Sequence, residues 1–121
     1  FFIRCQFSGV NFAKTDQVTV ELHIKDWLLD YAQFYALKLK KMQFINCSMI
    51  AVDFMGSDLT EVLFDNCNLR RTVFIDTILN KADFYTSYDY TLDLEKNKAK
   101  KAIFSTDGLK GLLEKYDIIV K

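Results

Sequence analysis

Residues 42–69 read MQFINCSMIAVDFMGSDLTEVLFDNCNL, and in them Phe44, Met49, Phe54, Leu59, Phe64 and Leu69 recur at every fifth place. The same frame extends back through Leu39, Phe34, Leu29 and Ile24 and forward through Phe74, Leu79 and Phe84. A second series, smaller on the whole, stands two places before these: Leu22, Trp27, Ala32, Leu37, Met42, Cys47, Val52, Ser57, Val62, Cys67, Thr72, Thr77 and Ala82.

A five-residue period is incompatible with a helix, because each step advances about 500° and spirals the large residues around the axis. Two residues is the strand period, so the small and the large member of each unit point the same way. The other residues of the five must turn the chain and bring the next extended piece back to a common interior. Repetition of one such unit is the mark of a solenoid.

The pieces Ala32-Gln33-Phe34, Cys47-Ser48-Met49, Val52-Asp53-Phe54, Ser57-Asp58-Leu59, Cys67-Asn68-Leu69 and Ala82-Asp83-Phe84 closely resemble the pentapeptide-repeat family. That resemblance implies an all-β solenoid, a right-handed quadrilateral β-helix with four five-residue sides per coil. Residues twenty apart then stack as Ile24/Phe44/Phe64/Phe84, Leu29/Met49/Leu69, Phe34/Phe54/Phe74 and Leu39/Leu59/Leu79. Two columns are almost wholly aromatic and two aliphatic, a sorting that shape-matched packing favours.

Phe2, Phe7 and Phe12 carry the same signature, but counting by fives from Phe12 reaches Leu22 where the later frame needs Ile24. Two extra residues are therefore expected within 13–21, after which Phe2 stacks under Ile24, Phe7 under Leu29 and Phe12 under Phe34. An interior-type residue stands at position two, before anything that covers an open coil. Solenoid ends need caps, so the reading expects upstream coils or a covering partner.

The repeat domain is placed at residues 1–94. Beyond Phe84 the pattern decays, with Asp89 at a large position, and Leu94 to Lys101 reads as a solvated linker opening a tail over 95–121. Ala102-Ile103-Phe104 offers one strand-like piece. Ser105 reads as an N-cap with Asp107 in the first turn, and Leu109, Leu112, Leu113 and Tyr116 fall at helical spacing, giving a C-terminal helix over about 106–116. Gly108 and Gly111 weaken that helix in isolation, so it is expected to exist by packing. Ile118 to Val120 follow as a short edge strand. The tail also resembles the end of bacterial pentapeptide-repeat proteins, and in the quinolone-resistance members this implies a dimer contact through Leu109, Leu112, Leu113 and Tyr116. A monomer whose own helix closes the last coil has the same signature.

The formal charge is zero over 121 residues, but residues 1–43 carry +2, residues 44–95 carry −6 and residues 96–121 carry +4. The acids Asp53, Asp58, Glu61, Asp65, Asp76 and Asp83 make a candidate interaction surface. The resemblance to quinolone-resistance proteins implies DNA mimicry toward a partner of the DNA gyrase or topoisomerase IV type. Charge density permits it, since −6 over the middle block is one charge per about 2 Å of rod against about 1.7 Å in a duplex. The alternative is a structural scaffold for another protein. Asx residues at Asp53, Asp58, Asn68 and Asp83 also have a plain role, keeping the rod wet and bonding locally to the backbone. The basic runs lack interleaved aromatics, so no direct nucleic-acid binding is expected.

Catalysis is not expected. One His, four Gly and no assembled nucleophile–base spacing leave little to work with, and a filled interior leaves no cleft. No cofactor or metal is implied: Cys5, Cys47 and Cys67 sit at small interior positions, and His23 lies outside that series. Reduced buried thiols point to a cytoplasmic protein. Half the residues are hydrophobic and Pro is absent, which fits a packed fold, and no apolar run reaches the roughly 18 residues of a membrane span.

Overall fold

The computed structural model describes Cys5–Gln6 and residues 23–121. The regular strands are short: β1 Cys5–Gln6, β2 His23–Lys25, β3 Trp27–Leu28, β4 Gln43–Ile45 and β5 Leu63–Asp65. All pairing is parallel. Ile24 pairs with Phe44 and Phe44 with Phe64, and isolated bridges continue the same step of twenty through Asp53↔Val73, Lys38↔Asp58, Asn68↔Tyr88, Ile78↔Lys98 and Asp83↔Ile103. From residue 23 onward this register winds a four-sided column, one circuit per twenty residues.

Four faces follow from that register. The first is centred on Ile24, Phe44, Phe64, Phe84 and Phe104, the second on Leu29, Met49 and Leu69. The third is centred on Phe34, Phe54 and Phe74, the fourth on Leu39, Leu59, Leu79 and Ala99. The central residues are buried from Ile24 through Phe84. On the first face Phe44 and Phe64 stack at 5.4 Å and Phe64 and Phe84 at 5.0 Å; on the third, Phe34 and Phe54 stack at 5.1 Å and Phe54 and Phe74 at 5.6 Å. Across the axis the two stacks meet edge to face, Phe64 against Phe54 at 73° and against Phe74 at 81°. Offset stacks joined by T-shaped contacts let each ring's positive edge meet another's negative face, worth about 0.5–1.5 kcal/mol per pair beyond burial.

The corners need a left-handed residue. Asp26, Tyr31, Ala36, Lys41, Asn46, Ala51, Gly56, Glu61, Asn66, Arg71, Asp76 and Lys81 all have positive φ, two places after each central residue. Only one of these is Gly. Cβ crowding in this region costs an L-residue about 1–2 kcal/mol, and the ladder offsets it: the N–H of Tyr31 donates to Ile50 O at 2.8 Å, of Lys41 to Thr60 O at 2.9 Å and of Glu61 to Asn80 O at 2.9 Å. Many corners are also closed locally, as where Ala32 N donates to Leu29 O at 2.9 Å around Tyr31, the arrangement of a type II turn.

The small inner position has a second task. Thr72 Oγ1 donates to Met49 O at 2.6 Å, Thr77 Oγ1 to Phe54 O at 3.0 Å and Cys67 Sγ to Phe44 O at 3.2 Å. Each reaches the carbonyl of a central residue one coil earlier. A buried carbonyl left unpaired costs about 1–3 kcal/mol, so small polar residues here stabilise what a bare Ala would not.

The N-terminal pairing is offset. Cys5 pairs with Trp27 and Gln6 with Leu28, twenty-two residues apart, whereas later pairs are twenty apart. The two-residue insertion expected within 13–21, and the stacking of Phe2, Phe7 and Phe12, lie outside the described residues.

The tail departs from its reading. Residues 96–104 are not a linker but two further sides of the column: Leu79 N donates to Lys98 O at 2.6 Å, Lys81 N to Lys100 O at 2.9 Å, and Phe104 stacks under Phe84 at 5.1 Å. The signature was hidden because Ala99 stands in the large place among lysines that all face outward. Between Tyr88 and Lys96 the chain leaves the ladder, exposing Asp89 and Leu94 and burying Tyr90 and Leu92 instead. The expected helix over 106–116 is a chain of single turns: a 3₁₀ turn Thr106–Gly108, α1 Leu109–Leu112 and a second 3₁₀ turn Glu114–Tyr116. Ser105 does cap it, accepting from Gly108 N at 3.1 Å. Asp117, at φ 53°, ends it, and Ile118 to Val120 form no strand. Packing rather than propensity holds these turns, because Leu92 N donates to Gly111 O at 3.1 Å and a Cβ at Gly111 would lie 2.0 Å from Tyr90 O.

Candidate interaction surfaces

The six acids singled out from the sequence do not form one stripe. Asp65 and Asp83 lie on the first face, Asp53 on the third and Asp58 on the fourth, while Asp76 and Glu61 occupy the corners before and after the fourth. The second face carries none of them. Three are fixed by their own backbone: Asp53 Oδ1 accepts from Met55 N at 2.9 Å, Asp58 Oδ1 from Thr60 N at 3.0 Å and Asp83 Oδ1 from Tyr85 N at 2.9 Å. Asn68 does the same for Arg70 N at 3.1 Å. The local Asx bond expected from the repeat is thus made at all four positions. Asp65 Oδ1 accepts from Thr86 Oγ1 at 2.8 Å. Glu61 and Asp76 stand exposed at their corners.

Winding also sorts the bases, which the sequence showed only as two distant runs. Lys38, Asp58, Ile78 and Lys98 form one column by direct pairing. Lys40 and Lys100 flank it on one side with Lys41, Lys81 and Lys101 along the following corner. Among the described residues the fourth face with its following corner therefore holds seven lysines against Asp58 and Glu61. The signal was present in the numbering, since Lys38 and Lys98 are three circuits apart, but reading 94–101 as a linker concealed it.

The C-terminal residues divide. Leu112 is buried against the last coil, while Leu109, Leu113 and Tyr116 are exposed, with Ile118, Ile119 and Val120 beside them. Burial thus divides one apolar set, Leu112 facing inward and the others facing solvent. Lys115 ties the turns to the departing loop through Asp93 at 3.0 Å and through Glu95. Hydrogen bonding to Lys115 holds the Asp93 carboxyl below the usual carboxylate range, and the paired acids, Glu95 first, raise the Lys115 ammonium.

The concavities among the described residues are open and shallow, against the outlying loop and the tail. One is lined by Arg70, Arg71, Asp89, Tyr90 and Glu114. No group of three or more His, Cys, Asp or Glu is placed to hold a metal among the described residues, and no helix there is long and apolar enough to cross a membrane. Cys47 and Cys67 are both buried free thiols in adjacent coils. The Cys47 thiol beside it, together with burial, pushes the Cys67 thiol up.

A column of five-residue sides with central Phe and Leu defines the class. This chain belongs to the pentapeptide-repeat family: residues 1–74 match the model of the pentapeptide repeat region. Two trypsin-treated variants of QnrB1, described as a plasmid-mediated fluoroquinolone resistance protein, superpose with TM-scores of 0.78 and 0.75 at 18% and 17% identity, over 98% and 97% of this chain. HetL, a pentapeptide-repeat protein involved in heterocyst differentiation regulation from Nostoc sp. strain PCC 7120, superposes at 0.53 with 18% identity over 86% of this chain and 46% of its own length. The chain spans 58% of each QnrB1 structure. No curated protein matches it in sequence. These likenesses bear out the right-handed quadrilateral β-helix. Among the described residues the axis of the column is filled with side chains.

Proposed function

We propose that this protein is a protein-interaction rod that engages a type II topoisomerase, of the DNA gyrase or topoisomerase IV kind, as a decoy for duplex DNA. The observation that carries this reading is the fixing of Asp53, Asp58 and Asp83 by hydrogen bonds to the backbone two residues on. Carboxylates pinned to a stiff ladder present charge at set heights, as a duplex does, without the entropy that a flexible acidic tail loses on binding. Superposition on QnrB1, a fluoroquinolone resistance protein, supports the choice of partner. The test is gyrase supercoiling with and without a quinolone. The whole chain should shift the quinolone inhibition curve, and a variant carrying Asp53→Asn, Asp58→Asn, Glu61→Gln, Asp65→Asn, Asp76→Asn and Asp83→Asn should lose the shift. If the wild-type chain leaves both curves unmoved, the reading fails.

A second element of the same reading is a homodimer through the tail. Leu109, Leu113 and Tyr116 are exposed together at the end of the column, which suits a contact between copies. Sedimentation equilibrium of the wild type against Leu109→Glu/Leu113→Glu tests it. A wild type that stays monomeric at high micromolar concentration overturns the dimer and leaves a monomer whose own tail closes the last coil.

A further inference from the structure

We propose that the fourth face is a binding surface for the phosphate backbone of duplex nucleic acid. This goes beyond the decoy reading, which uses acids, and departs from the expectation of no nucleic-acid contact. Two rows of three lysines, Lys38, Lys40 and Lys41 in one coil and Lys98, Lys100 and Lys101 three coils on, lie along the fourth face and the corner that follows it, with Lys81 on that corner between them. At about 4.8 Å per coil the rows stand about 14 Å apart. The major groove is about 12 Å wide, so one row meets the phosphates on each strand that border it. All seven lysines are exposed.

The chemistry of the face selects this ligand over others. Its cations are all lysine, mobile point charges that suit phosphate and do not give the bidentate base contacts of arginine. Among the described residues no aromatic side chain stands on it to stack an unpaired base, which disfavours single strands. It also lacks the apolar and aromatic core on which protein interfaces rest, since Ile78 is half-buried between Asp58 and Lys98. What remains is an array that gains chiefly by releasing counterions from a dense linear polyanion.

Asp58 and Glu61 lie beside the upper row and oppose the ligand. The exposed Lys40 is 3.9 Å from the half-buried Asp58, a long contact that a phosphate can replace. Asp58→Asn keeps the oxygen that accepts from Thr60 N, so this acid can be neutralised without disturbing its turn.

The experiment is fluorescence anisotropy of a labelled 20-bp duplex of arbitrary sequence with the whole chain between 25 and 200 mM KCl. Binding should fall with salt with a log–log slope of roughly −4 to −5, about five phosphates at 0.9 each. Lys98→Gln/Lys100→Gln/Lys101→Gln should weaken binding about tenfold or more at 50 mM and shallow the slope by about 3. Asp58→Asn/Glu61→Gln should tighten it, an outcome that misfolding cannot imitate. The proposal is overturned if no binding appears at 25 mM KCl or if the lysine variant binds unchanged. It is equally overturned if poly-glutamate or phosphatidylserine vesicles at matched charge compete as well as unlabelled duplex. The six-acid variant tested against gyrase retains these lysines, so failure of the decoy reading and failure of this one are separately visible.

Discussion

Thr72 Oγ1 donates to the carbonyl oxygen of Met49 at 2.6 Å, joining a small inner residue to a large one in the preceding coil. The carbonyl is buried at a corner, so the hydroxyl serves it where water cannot. Thr72→Val keeps the shape and removes the donor, and should destabilise the column by about 1–3 kcal/mol, while Thr72→Ser should recover most of the loss. Urea unfolding of the three proteins decides it; equal midpoints for wild type and Thr72→Val would show that the bond contributes nothing.

The Phe64 ring lies between Phe44 and Phe84 in its own stack and meets Phe54 and Phe74 edge-on. Phe64→Ala removes contacts on four sides at a place with rigid neighbours above and below, and should cost about 3–5 kcal/mol. Phe64→Leu keeps most of the volume and should cost less, the difference reporting the ring geometry. Thermal unfolding with matched transitions by far- and near-ultraviolet circular dichroism is the measurement. A Leu variant as destabilised as the Ala variant would count against a volume account.

The column was legible because one period places one residue type inside. Phe44, Phe64 and Phe84 stack where a step of twenty puts them, and no other element type holds a period of five. Two things were not legible. Ala99 is an undersized central residue whose coil is specified by backbone pairing, and pairing leaves no mark in side-chain pattern. The tail depends on the fit of two glycines against Tyr90: a Cβ at Gly108 would sit 1.8 Å from its hydroxyl. In a linear reading both glycines only weaken a helix. As for the surface, charge counted in segments gave basic ends and an acidic middle, whereas winding turns separation along the chain into position around the axis. Lys38 and Lys98 thereby share a face, and the six acids are divided among three faces and two corners.

Gly111 lets the tail turn touch the backbone of the departing loop. Gly111→Ala would place a methyl 2.0 Å from Tyr90 O, and backbone on both sides cannot yield cheaply. The turns over 106–116 should detach while the upper coils stay paired. Limited proteolysis should then cut the variant first between Lys96 and Lys115, leaving a resistant core; cleavage no faster than in the wild type would show that the contact can relax.

Lys115 clamps the same turns through Asp93 and Glu95. Asp93 titrates below its ordinary value when folded, so its contribution is full above the unfolded carboxylate value and is lost as pH falls through the lowered one. Lys115 titrates above its ordinary value and stays charged through that window. Acid should therefore loosen the tail before the column. Amide exchange at Leu92, whose N–H donates to Gly111 O, should quicken below about pH 4 more than exchange at Phe64. In Lys115→Met this selective change should vanish, and an unchanged profile in that variant would remove the clamp from the account.

Cys47 and Cys67 occupy successive turns of one inner column, with Cys47 Sγ donating to Ile24 O at 3.4 Å and Cys67 Sγ to Phe44 O at 3.2 Å. Both thiols are buried, which denies a reagent access, and Cys67 is also held protonated by its neighbour and by burial. Iodoacetamide at pH 8 should leave both unmodified over hours in the folded protein and label both within minutes in denaturant, as read by peptide mass. Replacing both by Ser keeps a donor of similar size at each carbonyl and should leave the column folded, which separates protection from any need for sulfur. Fast labelling of either thiol in the native protein would mean that the inner column is not closed, and the register built on it would have to be redrawn.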